Sequence, residues 1–253
     1  MGLFDRFRRK GTPAATPPVA TPVATATAAA PDTTITDTTR SKKMTAITII
    51  GAGNMARGIA TRALAGGHAV QILARDESSA GTLASELTGT VTAGSLNTPV
   101  SGDIVVLALL YDAGLAVAEQ LRDKLTGRVV VDISNPVDFA TFDRLVTPDD
   151  SSAAQELQKV IPASKVVKGF NTVFAGTLVA GVVDGHKLDV ALAADDAEAK
   201  DAVAALVESS GMRAIDAGPL KRAHQLEGVG FLHMAVQGQL GNTWSTAVKI
   251  VGA

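Results

Sequence analysis

The feature that most constrains the fold is a glycine loop between an apolar run and a helical pattern. Residues 46–50 (AITII) are typical of a buried strand, and residues 51–56 (GAGNMA) follow with the pattern G-x-G-x-x-A. In this pattern Gly51 permits a tight turn, Gly53 lets the backbone approach a pyrophosphate, and Ala56 lets helix and strand pack closely. The segment therefore predicts the start of a βαβ unit.

The predicted helix after the glycines offers a place for phosphate. The backbone amides of Asn54 and Met55 open that helix, and they point outward at its positive end. A glycine pattern alone is weak evidence, since it can also mark a purely structural turn. Here it directly follows a strand and opens a helix, and that context predicts dinucleotide binding.

Strand and helix patterns alternate through the folded part of the chain. The predicted strands are AITII, AVQILA, TVTAG, DIVVLALL, RVVVDIS, KVVKGF, KLDVALAAD and MRAIDAG. The predicted helices lie at residues 54–67, 77–87, 112–125, 153–161 and 197–211, with a long helical stretch at the C-terminus. Alternation of this kind predicts an α/β fold, a Rossmann-type doubly wound parallel sheet. We expect an NADP-binding Rossmann domain at residues 44–170 and a second, smaller C-terminal α/β domain at 171–253.

Residues 1–43 differ in composition from the rest. Most of this segment is rich in Ala, Thr and Pro, and it lacks the apolar side chains needed to offset its ordering entropy, so it predicts a disordered tail. Residues 1–10 (MGLFDRFRRK) form a short amphiphilic start. They could dock on a partner protein or a membrane surface, or remain solvated.

Composition excludes several classes of function. The chain of 253 residues has a net charge of -2 and no cysteine. A nearly balanced charge does not favour nucleic acid, and the absence of cysteine excludes disulfides and thiolate chemistry. Four scattered histidines show no metal-ligand spacing. We expect a cytoplasmic protein, since cysteine-free chains suit a reducing compartment.

The residues that follow the second predicted strand indicate which dinucleotide is bound. An acidic residue at this place normally accepts hydrogen bonds from the adenosine ribose of NAD. This chain has Ala74 and then Arg75, whose guanidinium can pair with a 2′-phosphate. The sequence therefore favours NADP. An alternative is a solvated arginine with Asp76 reaching a ribose hydroxyl.

Three loops at the predicted carboxyl ends of strands are expected to face the nicotinamide. They are LLYDA with Tyr111, SNPV with Asn135, and GFNTV with Asn171. They offer amides and hydroxyls, and we find no Lys, Asp or His constellation there to act as a general acid or base. A site of this kind suits direct hydride transfer to a second redox ring, in which positioning supplies most of the rate.

These loops resemble the NADPH-dependent reductases of the deazaflavin coenzyme F420, and the related oxidoreductase domain of the STEAP metalloreductases. The matching segments are GAGNMARG, the Arg75 position, VDISNPV, KVVKGFNTV and IDAGPL, within residues 46–253. The resemblance implies a homodimer that binds NADP along the strand ends. It also implies a deazaflavin (coenzyme F420) or a flavin stacked on the nicotinamide.

The same resemblance implies roles for individual residues. Gly53, Asn54 and Met55 would hold the pyrophosphate, and Arg75 the 2′-phosphate. Tyr111 and Asn135 would flank the nicotinamide, with Asn171 and Thr172 near the ring pair. We predict no catalytic side chain and no metal ligand. The complete predicted set of cofactor-binding residues is Gly51, Gly53, Asn54, Met55, Ala74, Arg75, Leu110, Tyr111, Asn135, Pro136, Asn171 and Thr172.

Two other functions compete with this interpretation. GAGNMA also resembles pyrroline-5-carboxylate reductase, an imine reductase, although that family carries a long helical dimerisation domain where this chain has further strand patterns. A non-catalytic NADP-binding sensor or scaffold is the second alternative, because the tail and the lack of acid–base residues both permit it.

Overall fold

Ten strands and eight α-helices make up the part of the chain that the structure describes. It is a computed structural model, and it describes residues 45–252. The strands are β1 (Ala46–Ile50), β2 (Ala69–Ala74), β3 (Val91–Ser95), β4 (Ile104–Leu107), β5 (Val129–Asp132), β6 (Lys165–Lys168), β7 (Val182–Val183), β8 (His186–Lys187), β9 (Asp189–Ala193) and β10 (Arg213–Gly218). The helices are α1 (Asn54–Ala65), α2 (Glu77–Ser85), α3 (Tyr111–Gln120), α4 (Arg122–Leu125), α5 (Ala153–Val160), α6 (Ala175–Ala180), α7 (Ala197–Ser209) and α8 (Ala223–Ala235). The predictions for residues 1–43 lie outside the described residues.

Eight of these strands form one sheet in the order β10-β9-β6-β5-β4-β1-β2-β3. Strands β1 to β6 run parallel, and β10 is parallel to β9. Strand β9 pairs antiparallel with β6, at Lys168 and Ala193. The Rossmann-type α/β fold predicted from the alternating pattern is confirmed. Strands β9 and β10 extend the same sheet, so the predicted boundary at residue 170 falls inside a continuous sheet.

The core lies on both faces of this sheet, as the uninterrupted apolar strands require. One cluster contains Ile47, Ile49 and Val106 and packs against α1, α2, α6 and α7. The other contains Ile50, Val105 and Val130, together with buried residues of α3 and α5. Side chains that alternate along β1 and β4 therefore enter opposite layers.

The register of the parallel strands brings their last residues to one edge. Ile50 pairs with Leu107, Leu107 with Asp132, and Asp132 with Lys168. The loops that follow β1, β4, β5 and β6 consequently emerge side by side. The predicted binding loops therefore meet at the carboxyl edge of the sheet.

Two expected elements differ from the structure. Strand β4 ends at Leu107, earlier than the apolar run suggests, and Tyr111 begins α3. The prediction of a long C-terminal helical stretch is wrong, because α8 ends at Ala235 and only a 3-10 turn at Val236–Gly238 continues it. Hydrophobicity alone cannot distinguish a helix from an extended segment that packs on the fold. Among the described residues, no helix has the length and apolarity that crossing a bilayer demands.

Candidate active site

The glycine loop turns sharply over the end of β4. Gly51 has φ of +123°, and a Cβ atom added there would lie 2.5 Å from the carbonyl oxygen of Ala108. Its amide donates to the Leu73 carbonyl at 2.8 Å. A side chain at Gly53 would meet no atom of the described protein within 4 Å. Gly51 is therefore needed by the fold, whereas Gly53 leaves open space beside α1.

The amino end of α1 is available to an anion. Within residues 45–252 no side chain caps this helix, whereas Asp76, Ser152 and Asp196 cap α2, α5 and α7. The first turn of α1 also carries no acidic residue. Its free N–H groups and the positive end of its dipole suit a pyrophosphate, so the geometry fits a dinucleotide.

A cavity of about 340 Å³ lies on one side of the glycine loop, at the ends of β1 and β2. Gly51, Ala74 and Arg75 are among the residues that line it. Arg75 is exposed, and among the described residues no carboxylate forms an ion pair with it. A free guanidinium at this place can receive a phosphate.

The carboxylate of Asp76 is engaged in capping α2. It accepts hydrogen bonds from the Ser78 amide at 3.1 Å and from the hydroxyls of Ser78 and Ser79, each at 2.8 Å. These bonds, led by the Ser78 hydroxyl, lower the pKa of Asp76. Both of its carboxylate oxygens therefore already accept hydrogen bonds at the start of α2. This weakens the alternative in which Asp76 binds a ribose hydroxyl.

A larger cavity of about 610 Å³ lies on the other side of the glycine loop. Its walls come from the glycine loop, from the loops after β4, β5 and β6, from the start of α6 and from the C-terminal segment. The lining residues are Gly53, Asn54, Met55, Ala108, Leu109, Leu110, Ile133, Ser134, Asn135, Phe139, Phe170, Asn171, Val173, Phe174, Ala175, Gly176, Met234 and Trp244. The lining is mostly apolar and aromatic, as expected for a site that holds a flat ring system.

Two asparagines join the β5 and β6 loops in this wall. Asn135 Nδ2 donates to the Asn171 carbonyl at 2.8 Å, and Asn171 Nδ2 donates to Asn135 Oδ1 at 2.9 Å. Helix α8 supports the pair closely, because a Cβ atom at Gly230 would lie 2.6 Å from Asn135 Oδ1. Phe170 takes a positive φ of 61°, which is costly for a bulky residue and recurs at functional sites.

An aromatic group forms another part of the wall. The Phe174 ring stacks on His233 with centroids 4.1 Å apart and meets Trp244 edge-on at 5.1 Å. His233 Nδ1 lies 3.2 Å from the Thr172 carbonyl oxygen, and Nε2 lies 2.8 Å from the Thr246 hydroxyl. Burial lowers the pKa of His233, so its ring is neutral at physiological pH. Trp244 reaches the cavity from a non-helical segment.

Directly behind the β5 and β6 loops lies a buried ion cluster of Asp132, Lys168 and Glu227. Lys168 Nζ lies 2.7 Å from Asp132 Oδ2 and 2.8 Å from Glu227 Oε1. The side chains of Lys168 and Glu227 are fully buried. Lys168 and Asp132 thus meet behind these strand ends, but neither they nor Glu227 line either of the two cavities. That no side chain here acts as a general acid or base stays a prediction. In the sequence Asp132 and Lys168 belong to two strand patterns, and Glu227 comes from a distant helix.

Nine of the twelve predicted residues line one of the two cavities. Gly51, Ala74 and Arg75 line the smaller cavity, and Gly53, Asn54, Met55, Leu110, Asn135 and Asn171 line the larger. Tyr111, Pro136 and Thr172 line neither. Pro136 and Thr172 are both buried. The Pro136 carbonyl accepts a hydrogen bond from the Val146 amide, and the Thr172 carbonyl faces the His233 ring. The binding roles of all twelve residues stay predictions.

The predicted set lacks several large apolar residues that line the larger cavity, among them Phe139, Phe174, Met234 and Trp244. Phe174 is near GFNTV in the sequence, and that proximity was the one signal available. Met234 and Trp244 reach the cavity through long-range packing, which a single sequence does not reveal.

The comparisons agree with this geometry. Residues 46–136 match the family described as NADP oxidoreductase, coenzyme F420-dependent. The chain is similar to this family over that region. The matched region contains the glycine loop, Arg75 and the β4 and β5 loops, which line both cavities.

Relatives of known name include reductases from archaea and animals. The F420-dependent NADP reductase of Methanocaldococcus jannaschii is 37% identical over 134 residues, which cover 51% of this chain and 59% of that protein. The metalloreductase STEAP3 of Rattus norvegicus is 29% identical over 189 residues, covering 74% of this chain and 37% of that protein. The chain thus spans less than two thirds of either relative.

A solved structure extends the similarity to a larger part of the chain. A crystal structure from Arthrobacter sp. FB24, described as that of a candidate F420-dependent NADP-reductase, superposes with a TM-score of 0.73 at 27% identity. The alignment covers 81% of this chain and 99% of that one. The similarity therefore extends well beyond the region that the family model matches.

Proposed function

We propose that this protein is an oxidoreductase that transfers a hydride between NADP(H) and coenzyme F420, with the deazaflavin bound against the nicotinamide. The observation that carries the proposal is the pair of cavities on either side of the uncapped amino end of α1. One cavity carries a free arginine and the other an apolar, aromatic lining. The names of the relatives support F420 as the second substrate.

The smaller cavity would hold the adenosine end. Arg75 supplies a charge-assisted fork for the 2′-phosphate, and the amides of Asn54 and Met55 face the pyrophosphate. The Asp76 carboxylate, which caps α2, does not compete for the ribose. These three features together fit NADP better than NAD.

The larger cavity would hold the nicotinamide and the second ring. When bound, NADPH supplies a hydride at its nicotinamide. The Asn135–Asn171 pair would hold one part of the wall in place, and Phe174 with Trp244 would offer apolar surface to the rings. A cleft that orients two flat rings supplies rate through proximity without a general acid or base.

Turnover of NADPH with candidate acceptors tests the reaction. Purified protein and NADPH are mixed with F420, FMN or pyrroline-5-carboxylate, and the nicotinamide absorbance is followed. We expect oxidation with F420. Turnover with FMN alone would identify a flavin reductase, and turnover with pyrroline-5-carboxylate alone would identify an imine reductase. Nucleotide binding without turnover of any acceptor would support a sensor.

Replacing Arg75 tests the cofactor assignment. Arg75→Ala removes a charge-assisted pair with the 2′-phosphate, so we expect the KM for NADPH to rise about tenfold or more while the KM for NADH stays within about twofold. Arg122→Ala is the matched control, since Arg122 is half exposed on α4 and pairs with Glu119. Equal effects on both nucleotides would remove the assignment.

A further inference from the structure

The buried ion cluster carries an unbalanced charge. Two carboxylates, Asp132 and Glu227, surround one ammonium group, that of Lys168. Lys168 also donates to the Ser134 carbonyl at 2.5 Å. With all three groups ionised the cluster has a net charge of one negative unit, and burial keeps water from screening it.

The contacts of Glu227 favour its ionised form. Its Oε1 faces the Lys168 ammonium at 2.8 Å, and its Oε2 accepts from the Ala153 amide at 3.1 Å, at the start of α5. Oε1 therefore lies against an ammonium group, and Oε2 accepts a hydrogen bond at the positive end of a helix. Burial is the largest effect on Glu227 and raises its pKa, although the charge of Lys168 opposes that rise.

The cluster lies directly behind the wall of the larger cavity. Ser134, which lines the cavity, donates its amide to Asp132 Oδ1 at 3.0 Å and accepts from Lys168 through its carbonyl. Asn171, also in the lining, donates Nδ2 to the Leu226 carbonyl at 2.8 Å, one residue before Glu227. A single layer of loop separates the charge from the cavity.

The field of the cluster extends to the helix beside the cavity. Burial is the largest cause that raises the pKa of Tyr111, the first residue of α3. The charges of Glu156, Asp112, Glu227 and Asp132 raise it further. The charges of the two carboxylates in the cluster therefore act on Tyr111, which lies outside the cluster.

We propose that the negative charge of the buried ion cluster tunes the redox preference of the site, so that oxidised NADP binds more tightly than NADPH. The nicotinamide ring carries a positive charge when oxidised and is neutral when reduced, so a buried negative charge stabilises the oxidised ring selectively. The inference rests on the proposed function, because it takes the nicotinamide to lie in the cavity lined by Ser134 and Asn171. Glu227 acts here as a tuning residue without touching the ring.

Tighter binding of the oxidised form has a direct consequence for the reaction. Binding that favours NADP⁺ lowers the reduction potential of the bound couple. The bound reduced cofactor then donates its hydride more readily to the neighbouring acceptor. The cluster would bias the enzyme toward NADPH oxidation.

Equilibrium binding to Glu227→Gln tests the proposal without any acceptor. The substitution keeps the shape of the side chain and removes its charge. One unit of charge behind a single layer of protein, at an effective dielectric constant of about 20, shifts a binding constant by about tenfold. We expect the Kd for NADP⁺ to rise by about this factor and the Kd for NADPH to change by less than about twofold, measured by titration calorimetry.

Controls separate charge from structure. Glu208→Gln makes the same chemical change at an exposed position of α7, and both Kd values should stay as in the unaltered protein. Glu227→Asp keeps the charge and should keep the ratio of the two Kd values. If Glu227→Gln does not fold, Asp132→Asn removes the other carboxylate and should shift the ratio in the same direction.

Three results would overturn the proposal. Equal weakening of both nucleotides in Glu227→Gln would assign the cluster a structural role, and unchanged Kd values would show that its charge does not reach the ring. Tighter binding of NADPH than of NADP⁺ to the unaltered protein would also contradict it. If the unaltered protein bound neither nucleotide, the proposed function itself would fail.

Discussion

At the scale of single residues, two glycines in one loop are required for different reasons. Gly51 combines a positive φ with close contact to the Ala108 carbonyl, so the backbone itself demands glycine. Gly53 has φ of -87° and open space beside it, a conformation that other residues adopt easily. Only a ligand in that space would require a glycine there.

Substituting each glycine separates these reasons. Gly51→Ala should lower the free energy of unfolding by about 2 to 4 kcal/mol, from backbone strain and overpacking. Gly53→Ala should change it by less than about 1 kcal/mol but raise the Kd for NADPH about tenfold, because the methyl group enters the space of the pyrophosphate. Chemical denaturation and nucleotide titration measure the two effects, and a loss of stability in Gly53→Ala with unchanged affinity would refute this assignment.

At the scale of elements, one carboxylate fastens the C-terminal segment to the sheet. Asp189 of β9 accepts from Arg213 Nε at 2.8 Å, from Lys249 Nζ at 2.5 Å and from the Ile250 amide at 2.9 Å. Burial raises the pKa of Asp189, but these hydrogen bonds outweigh it and lower the pKa to about 2. The C-terminal segment, which carries Trp244, is thus held by an ionised group.

The stability contributed by Asp189 should depend on pH. Its pKa is about 2 in the folded chain against 3.8 normally, so the contribution of about 2 kcal/mol is complete above pH 5 and is lost as the pH falls toward 2. Asp189→Asn should therefore be less stable than the unaltered protein near neutral pH and equally stable near pH 2. Unfolding by urea across this range measures the difference, and a difference independent of pH would contradict the assignment.

The elements that the sequence predicts well are those whose pattern lies in neighbouring residues of the chain. Strand β1, the glycine turn and α1 follow from adjacent residues, and Ser152 caps α5 as its position suggests. The C-terminal segment and the buried ion cluster could not be predicted in this way. Trp244 is placed by contacts with Phe174, and Lys168 meets Glu227 only after α8 packs on the sheet. Such pairings depend on tertiary structure, which overrides local hydrophobic patterns.

At the scale of the whole molecule, the carboxyl edge of the sheet is divided into two parts by the glycine loop. The smaller cavity contains Arg75 and the larger contains Trp244, and Leu109 lines both. A dinucleotide would cross from one to the other, whereas the second ring would touch only the larger cavity. The predicted homodimer, the flavin alternative and the docking of residues 1–10 stay predictions.

This division predicts that the two halves of the site respond separately to substitution. Trp244→Ala removes an edge-to-face ring from the larger cavity, so the KM for F420 should rise about two- to tenfold. Adenosine 2′-phosphate, a probe that fits only the smaller cavity, should bind this variant with a Kd within about twofold of the original value. Because Trp244 lies on a segment held by Asp189, a wider disturbance of the fold would weaken the probe as well. Parallel loss of probe binding and F420 turnover would therefore mean that the two cavities do not act as separate subsites.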